Sequence, residues 1–265
     1  MAEVIVPLDF ASADEALAMV DVLGEAGTFY KVGLELYTRA GPAVVTELTE
    51  RGKRVFLDLK LHDIPNTVAG GVRAASELGV DLLTVHAAGG TAMLDAAREA
   101  AAGRIKILGV TVLTSLSGAE IESVWGREIR SIREEVGRLA ELATESRLDG
   151  VVASALETSW LRRQVPEDLL IVTPGIRPSG SDRGDQSRVA TPAAAVLAGS
   201  DYLVIGRPIT QADDPAASLA AILSEIATSV EECPPPQSLL MIWGMDDAEG
   251  PQHRDAITAA VRASQ

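Results

Sequence analysis

The chain has 265 residues, 47% of them hydrophobic, enough to bury a large core in one or two domains. A net charge of -15 excludes nucleic acid as the main partner, since a phosphate backbone needs a basic surface, and 3% aromatic residues leave little for base stacking. One cysteine, Cys233, excludes an internal disulfide and a multi-cysteine metal site and fits a reducing cytoplasm.

In chain order, "VIVPL" from Val4 is the first short apolar run, and Ser12 with Glu15 reads as a capping box ahead of Leu17, Val20 and Leu23. "FYKVG" from Phe29 follows, then a helix opened by Gly41-Pro42, carrying Val44, Val45 and Leu48 and closed by Gly52. After "RVFLDL" from Arg54, Asn66 caps a helix predicted from Thr67 towards Leu78. "LLTVHA" from Leu82 and "IKILGVTVL" from Ile105 are the next runs, and the connection from Ser115 to Arg147 has room for two helices. "GVVAS" from Gly150, "LLIVTPG" from Leu169 and "YLVIG" from Tyr202 complete a set of eight. Thr191-Pro192 opens a helix that Gly199 ends, and Asp214-Pro215 opens the last, with Leu219, Ile222, Leu223 and Ile226 on one face.

Most of these runs are apolar on both faces, as strands of a buried parallel sheet are. Strand–helix alternation roughly every 25–30 residues predicts an α/β chain folded as a (β/α)8 TIM barrel, with a doubly wound open sheet as the rival. The barrel is expected over residues 1–230. "EECPPPQ" breaks the pattern, and 231–265 is expected to be a C-terminal extension. No basic segment leads into an apolar stretch, and no apolar run approaches membrane-spanning length, so a cytoplasmic protein without a membrane partner is expected.

In a barrel of this kind the C-terminal ends of the strands face the reaction site. Asp9, Lys31, Asp58, Lys60, His86, Thr111 and Thr114 fall at or just beyond such ends. Asp58 and Lys60 are two apart, which places both on one side of the third strand. Buried charge is costly unless paired, and alternating Lys and Asp supply the pairing, either as a structural ion-pair network or as a reaction site. Lysine occurs only at Lys31, Lys53, Lys60 and Lys106 in a chain otherwise positive through Arg, so two of four lysines lie in this cluster. A second constellation joins "TPGIRPSGSDRGDQSR", Thr173 to Arg188, to "IGRPIT", Ile205 to Thr210, in the loops after strands seven and eight, where barrels commonly hold a phosphate. Arg177 and Arg207 offer guanidinium donors, Gln186 an amide, and Gly206 a backbone N–H open to close approach. The stretch from Ser179 to Gln186 has the composition of a closing lid. His86 is expected to do no more than hydrogen-bond a neighbouring loop, and His62 to point away from Lys60. With His253 in the extension, no three-histidine zinc set is evident. No GxGxxG or GxxxxGK[ST] motif follows a strand.

"DLKLHDIPNT", "KVGLEL", "VTVLTS", "PGIRP" and "IGRPIT", taken together, closely resemble the bacterial-type orotidine 5'-phosphate decarboxylase family, from about Val4 to Ile226. The resemblance implies a (β/α)8 homodimer, free of metal and organic cofactor, that decarboxylates orotidine 5'-phosphate to UMP, the last step of de novo pyrimidine nucleotide biosynthesis. It implies Lys60 as proton donor and a charge array of Lys31, Asp58, Lys60 and, from the other subunit, Asp63. It further implies Asp9 and Lys31 on the ribose hydroxyls, and Thr114 and Ser115 by the pyrimidine. Ile64 and Thr67 join Asp63 as substrate-binding residues, Thr67 reaching the partner's site. Arg177, Gln186, Gly206 and Arg207 hold the phosphate. The extension is the one departure from the family's pattern.

Two other readings remain open at this level. A metal-dependent sugar-phosphate decarboxylase or aldolase of the same superfamily shares the D-x-K-x-x-D core but works through Mg2+ and an enediolate. A catalytically dead nucleotide-binding or scaffold protein would keep the fold without needing an intact Lys60.

Overall fold

The computed structural model describes residues 2–178 and 190–232, with side chains through Ser229. Its strands are β1 (Glu3–Pro7), β2 (Phe29–Gly33), β3 (Arg54–Leu61), β4 (Leu82–His86), β5 (Lys106–Val110), β6 (Gly150–Val152), β7 (Leu170–Thr173) and β8 (Tyr202–Val204). All are parallel, and each pairs with the next in the chain. β8 then pairs with β1, Glu3 opposite Tyr202 and Ile5 opposite Val204, so the sheet closes and the open-sheet alternative falls away.

The helices in the first half are α1 (Ala13–Leu23), α2 (Leu34–Ala40), α3 (Ala43–Glu50), α4 (Pro65–Glu77) and α5 (Thr91–Ala101). The second half adds α6 (Gly118–Trp125), α7 (Ile132–Glu145), α8 (Ala155–Arg162), α9 (Pro192–Leu197), α10 (Arg207–Thr210) and α11 (Pro215–Glu232). The long fifth connection holds two helices, as its length predicts. α2 was not predicted; it occupies the "LELYTRA" segment directly after β2.

The helix starts follow their capping chemistry. Ser12 accepts from the Glu15 N–H, Thr191 from Ala194 N–H and Asp214 from Ala217 N–H. α4 departs from expectation: Ile64, not Asn66, occupies its N-cap, and Pro65 takes the first helical position. Proline's fixed φ is preorganised there, and its missing N–H is one that has no partner in a first turn. On α11, Leu219, Ile222 and Ile226 are buried, but Leu223, expected on the same face, is exposed.

Two apolar layers result. The larger lies between sheet and helices; the smaller fills the barrel interior with Ile5, Phe29, Phe56, Leu82, Leu108, Val172, Tyr202 and Val204. Phe29 and Tyr202 meet edge to face at 5.7 Å, and the Arg54 guanidinium stands 4.1 Å from the Phe29 ring centre. Arg54 also pairs with Glu3 and Asp81 at the strands' N-terminal ends. The barrel floor is thereby packed and tied, and room for chemistry is left at the opposite mouth.

The chain divides into Met1–Cys233, which holds the barrel, and Pro234–Gln265. Apart from Glu231 and Glu232 of α11, the extension anticipated at 231–265 lies outside the described residues. No helix among the described residues is long and apolar enough to cross a membrane.

Candidate active site

The mouth is built around β3. Asp58 and Lys60 are brought together there, but not by simple strand alternation. β3 and β4 pair Leu57 with Leu83 and then Leu61 with Val85, so four steps along β3 match two along β4. Lys60 adopts φ +51°, a left-handed conformation that costs a non-glycine residue about 1–3 kcal/mol. Such bulges re-aim side chains, and this one returns Lys60 Nζ to 2.7 Å from Asp58 Oδ2.

Lys31 of β2 stands 3.8 Å from the same Asp58 oxygen and 3.0 Å from Asp9 Oδ1, just past β1. A continuous chain Asp9–Lys31–Asp58–Lys60 therefore crosses three strand ends. Asp58 and Lys31 side chains are each 12% exposed, whereas Asp9 is 65% exposed, so the chain runs from the interior to solvent. Buried charges of this kind are tolerable because each inner member has an opposite partner.

Sequence reasoning missed two contributors. Thr84, fully buried on β4, donates to Asp58 Oδ1 at 3.0 Å and accepts from the Lys60 N–H at 2.9 Å. A threonine amid "LLTVH" is a polar residue at a core position, which is the signal that could have found it. Gly33, closing β2, is the second. A Cβ there would lie 2.9 Å from Lys31 Nζ.

Beside the charges, a cavity of about 150 Å³ is lined by Lys31, Asp58 and Lys60, by Thr114, and by apolar side chains including Phe56, Val110 and Val152. Its makeup is that of a small-molecule site, apolar walls with a few converging polar groups. Thr111 is also at this end, but its hydroxyl donates to the Val152 carbonyl at 2.8 Å and ties β5 to β6. Ser115 is exposed beyond Thr114.

The turn from β3 into α4 leaves Asp63, Ile64 and Thr67 exposed. Asp63 Oδ1 accepts from the Ile64 N–H at 2.6 Å, and Ile64 is 67% exposed. The structure does not bring these three into the Asp9–Lys60 chain of their own subunit.

Past β7 and β8, Arg177 is buried, with Nη1 donating to the Ile176 carbonyl at 2.9 Å, and Arg207 is exposed at the start of α10. A Cβ on Gly206 would meet Pro7 Cγ at 2.9 Å, so packing against β1 already demands glycine there. Gln186 and the predicted lid Ser179–Gln186 lie outside the described residues.

The two histidines of this region meet: the His62 ring lies 5.3 Å from that of His86, tilted by 37°. The departure from regular strand geometry at Lys60 redirects the chain that follows. Burial chiefly, and the nearby His62 and Lys60 charges, hold the His86 pKa below its ordinary value, against an opposing pull from Asp58. Among the described residues no group of three or more His, Cys, Asp or Glu side chains is arranged to hold a metal ion.

Residues 2–222 match the family described as Orotidine 5'-phosphate decarboxylase / HUMPS. The chain is 53% identical over 232 residues to an orotidine 5'-phosphate decarboxylase of Moorella thermoacetica, covering 84% of this chain and 92% of that protein. It is 54% identical over 228 residues to one from Halorhodospira halophila, covering 85% and 96%. A crystal structure of orotidine 5'-phosphate decarboxylase from Lactobacillus acidophilus superposes with a TM-score of 0.77 at 39% identity, covering 85% of this chain and 99% of that one.

Proposed function

The chain belongs to the orotidine 5'-phosphate decarboxylase / HUMPS family and decarboxylates orotidine 5'-phosphate to UMP in pyrimidine biosynthesis; we propose that Lys60 is its proton donor. The observation that carries this assignment is the Asp9–Lys31–Asp58–Lys60 chain, which delivers an ammonium, 2.7 Å from a carboxylate, to an apolar-walled cavity.

Loss of CO2 from C6 of the orotate ring leaves an electron pair that no π-system can spread. A fixed ammonium stabilises that charge as it develops, then gives its proton to C6. Lys60 is left as a neutral amine and is recharged from water. Asp58 holds the Lys60 ammonium in place at 2.7 Å, and its own charge would face the departing carboxylate. No residue is called on to hold a metal ion in this scheme.

The remaining residues bind. Asp9 and Lys31 take the ribose hydroxyls, and Thr114 and Ser115 flank the pyrimidine. Arg177, Gln186, Gly206 and Arg207 hold the phosphate. Binding energy gained there, far from C6, is available to assemble the site and appears as rate.

Each site is completed by a second copy of the chain in a homodimer. The exposure of Asp63, Ile64 and Thr67 supports this, because side chains turned out of their own subunit's charge chain can reach a neighbour's. Asp63, Ile64 and Thr67 of each subunit then serve the other's substrate. Localisation in the cytoplasm accords with a biosynthetic enzyme of this kind.

The test is Lys60→Ala. It removes an interaction made mainly in the transition state, so kcat should fall by several orders of magnitude while UMP affinity stays measurable. A variant that keeps a tenth of wild-type kcat would end the assignment.

A further inference from the structure

Between Leu57 and Leu61, three residues of β3 stand against a single residue of β4, Thr84. Lys60 has no register partner on β4. The Lys60 N–H donates to Thr84 Oγ1 at 2.9 Å, and the same hydroxyl donates to Asp58 Oδ1 at 3.0 Å. Thr84 is fully buried, so no water competes for either bond. We propose that Thr84 is a positioning residue for the reaction, its one hydroxyl fixing Lys60 and Asp58 in a single arrangement.

Two consequences follow from the hydroxyl's valence. An O–H carries one proton, and here it is committed to Asp58, so the lone pair that faces Lys60 can only accept. Acceptance holds the Lys60 backbone in its left-handed conformation, which nothing in a lysine favours by itself. Donation fixes Asp58 Oδ1, so Oδ2 is the oxygen left for Lys60 Nζ at 2.7 Å and Lys31 Nζ at 3.8 Å. Removing the hydroxyl without changing side-chain shape leaves a buried carboxylate oxygen and a backbone N–H without these partners. Lys60 is then free to relax towards ordinary strand geometry, carrying its ammonium away from Asp58. The ribose and phosphate groups are held elsewhere, so binding is spared.

The inference rests on the reading of Lys60 as proton donor, and Lys60→Ala is measured alongside. Thr84→Val, Thr84→Ser and wild type are compared for kcat, KM and UMP affinity. Thr84→Val should lower kcat by about 10–100-fold with KM and UMP affinity within about 3-fold, and Thr84→Ser should keep kcat within about 3-fold. A hydroxyl with a merely structural role would lower Tm without splitting kcat from KM. Thr84→Val at wild-type kcat, a loss confined to KM and UMP affinity, or Thr84→Ser falling as far as Thr84→Val would each overturn the proposal. If Thr84→Val does not fold, Thr84→Ala against Thr84→Ser decides: a kcat about 10-fold lower for Ala supports it, and equality overturns it. An active Lys60→Ala would instead overturn the proton-donor reading, whereas an inactive Lys60→Ala beside a fully active Thr84→Val removes only the role of Thr84.

Discussion

Gly33 and Lys31 lie two residues apart on β2, and a methyl group on Gly33 would stand 2.9 Å from the Lys31 ammonium and 3.4 Å from Asp9 Oδ1. Gly33 has φ -97° and ψ -175°, extended backbone that alanine also adopts. Its lack of a side chain therefore serves the charge chain rather than the fold. Gly33→Ala should leave Tm nearly unchanged and lower kcat/KM by about 10–100-fold, as the displaced ammonium loses Asp9. Unchanged kcat/KM in the alanine variant would mean that Lys31 adjusts freely.

The shared-site reading makes a prediction about mixtures. Lys60→Ala and Asp63→Ala homodimers are each expected to be inactive or nearly so. After subunit exchange, half of randomly formed dimers are mixed, and each mixed dimer holds one site with both lesions and one with neither. Activity should rise to about a quarter of the wild-type value per site. Mass spectrometry confirms that mixed dimers have formed. If they have and activity is not restored, Asp63 acts within its own chain.

Arg207 should behave unlike Lys60. A phosphate contact is present in ground and transition states alike, so Arg207→Ala should raise KM by more than it lowers kcat. A loss confined to kcat would remove Arg207 from the phosphate grip.

His86 links stability to acid. Its folded-state pKa lies below the ordinary value of 6.5, so the unfolded chain takes up its proton first as pH falls. Its contribution to stability is then complete above pH 6.5 and is lost progressively below it, towards the lowered folded-state pKa. Thermal unfolding followed from pH 7.5 to 5 should show a smaller fall in Tm for His86→Asn than for wild type. An identical fall would assign the acid sensitivity to other groups. His62, Lys60 and Asp58 are the titratable neighbours of His86 that share in this balance.

Much of the barrel was legible because buried parallel strands carry short apolar runs, and proline and hydroxyl residues mark helix starts. Eight strand–helix units pointed to a closed barrel over the open sheet that shares their alternation, and the pairing of β8 with β1 bears the barrel out. At the candidate site, charges at strand ends pointed to the cluster that Lys31, Asp58 and Lys60 form. The bulge that brings Lys60 to Asp58 was hidden, because a left-handed lysine has no local signature and is held by Thr84 on the neighbouring strand. Gly33 was hidden for a related reason: what it avoids is a side chain, not a backbone strain. Asn66 misled because a good capping residue was outranked by the proline before it.

Metal-free decarboxylation at this site is the central claim, and turnover after chelation tests it most directly. The enzyme is dialysed against EDTA, and conversion of orotidine 5'-phosphate to UMP is followed by ultraviolet absorbance. The Asp9–Lys31–Asp58–Lys60 chain predicts an unchanged rate, because its lysines supply the positive charge that a metal would otherwise provide. Loss of turnover on dialysis, with recovery on adding Mg2+, would contradict the account and favour the metal-dependent branch of the superfamily.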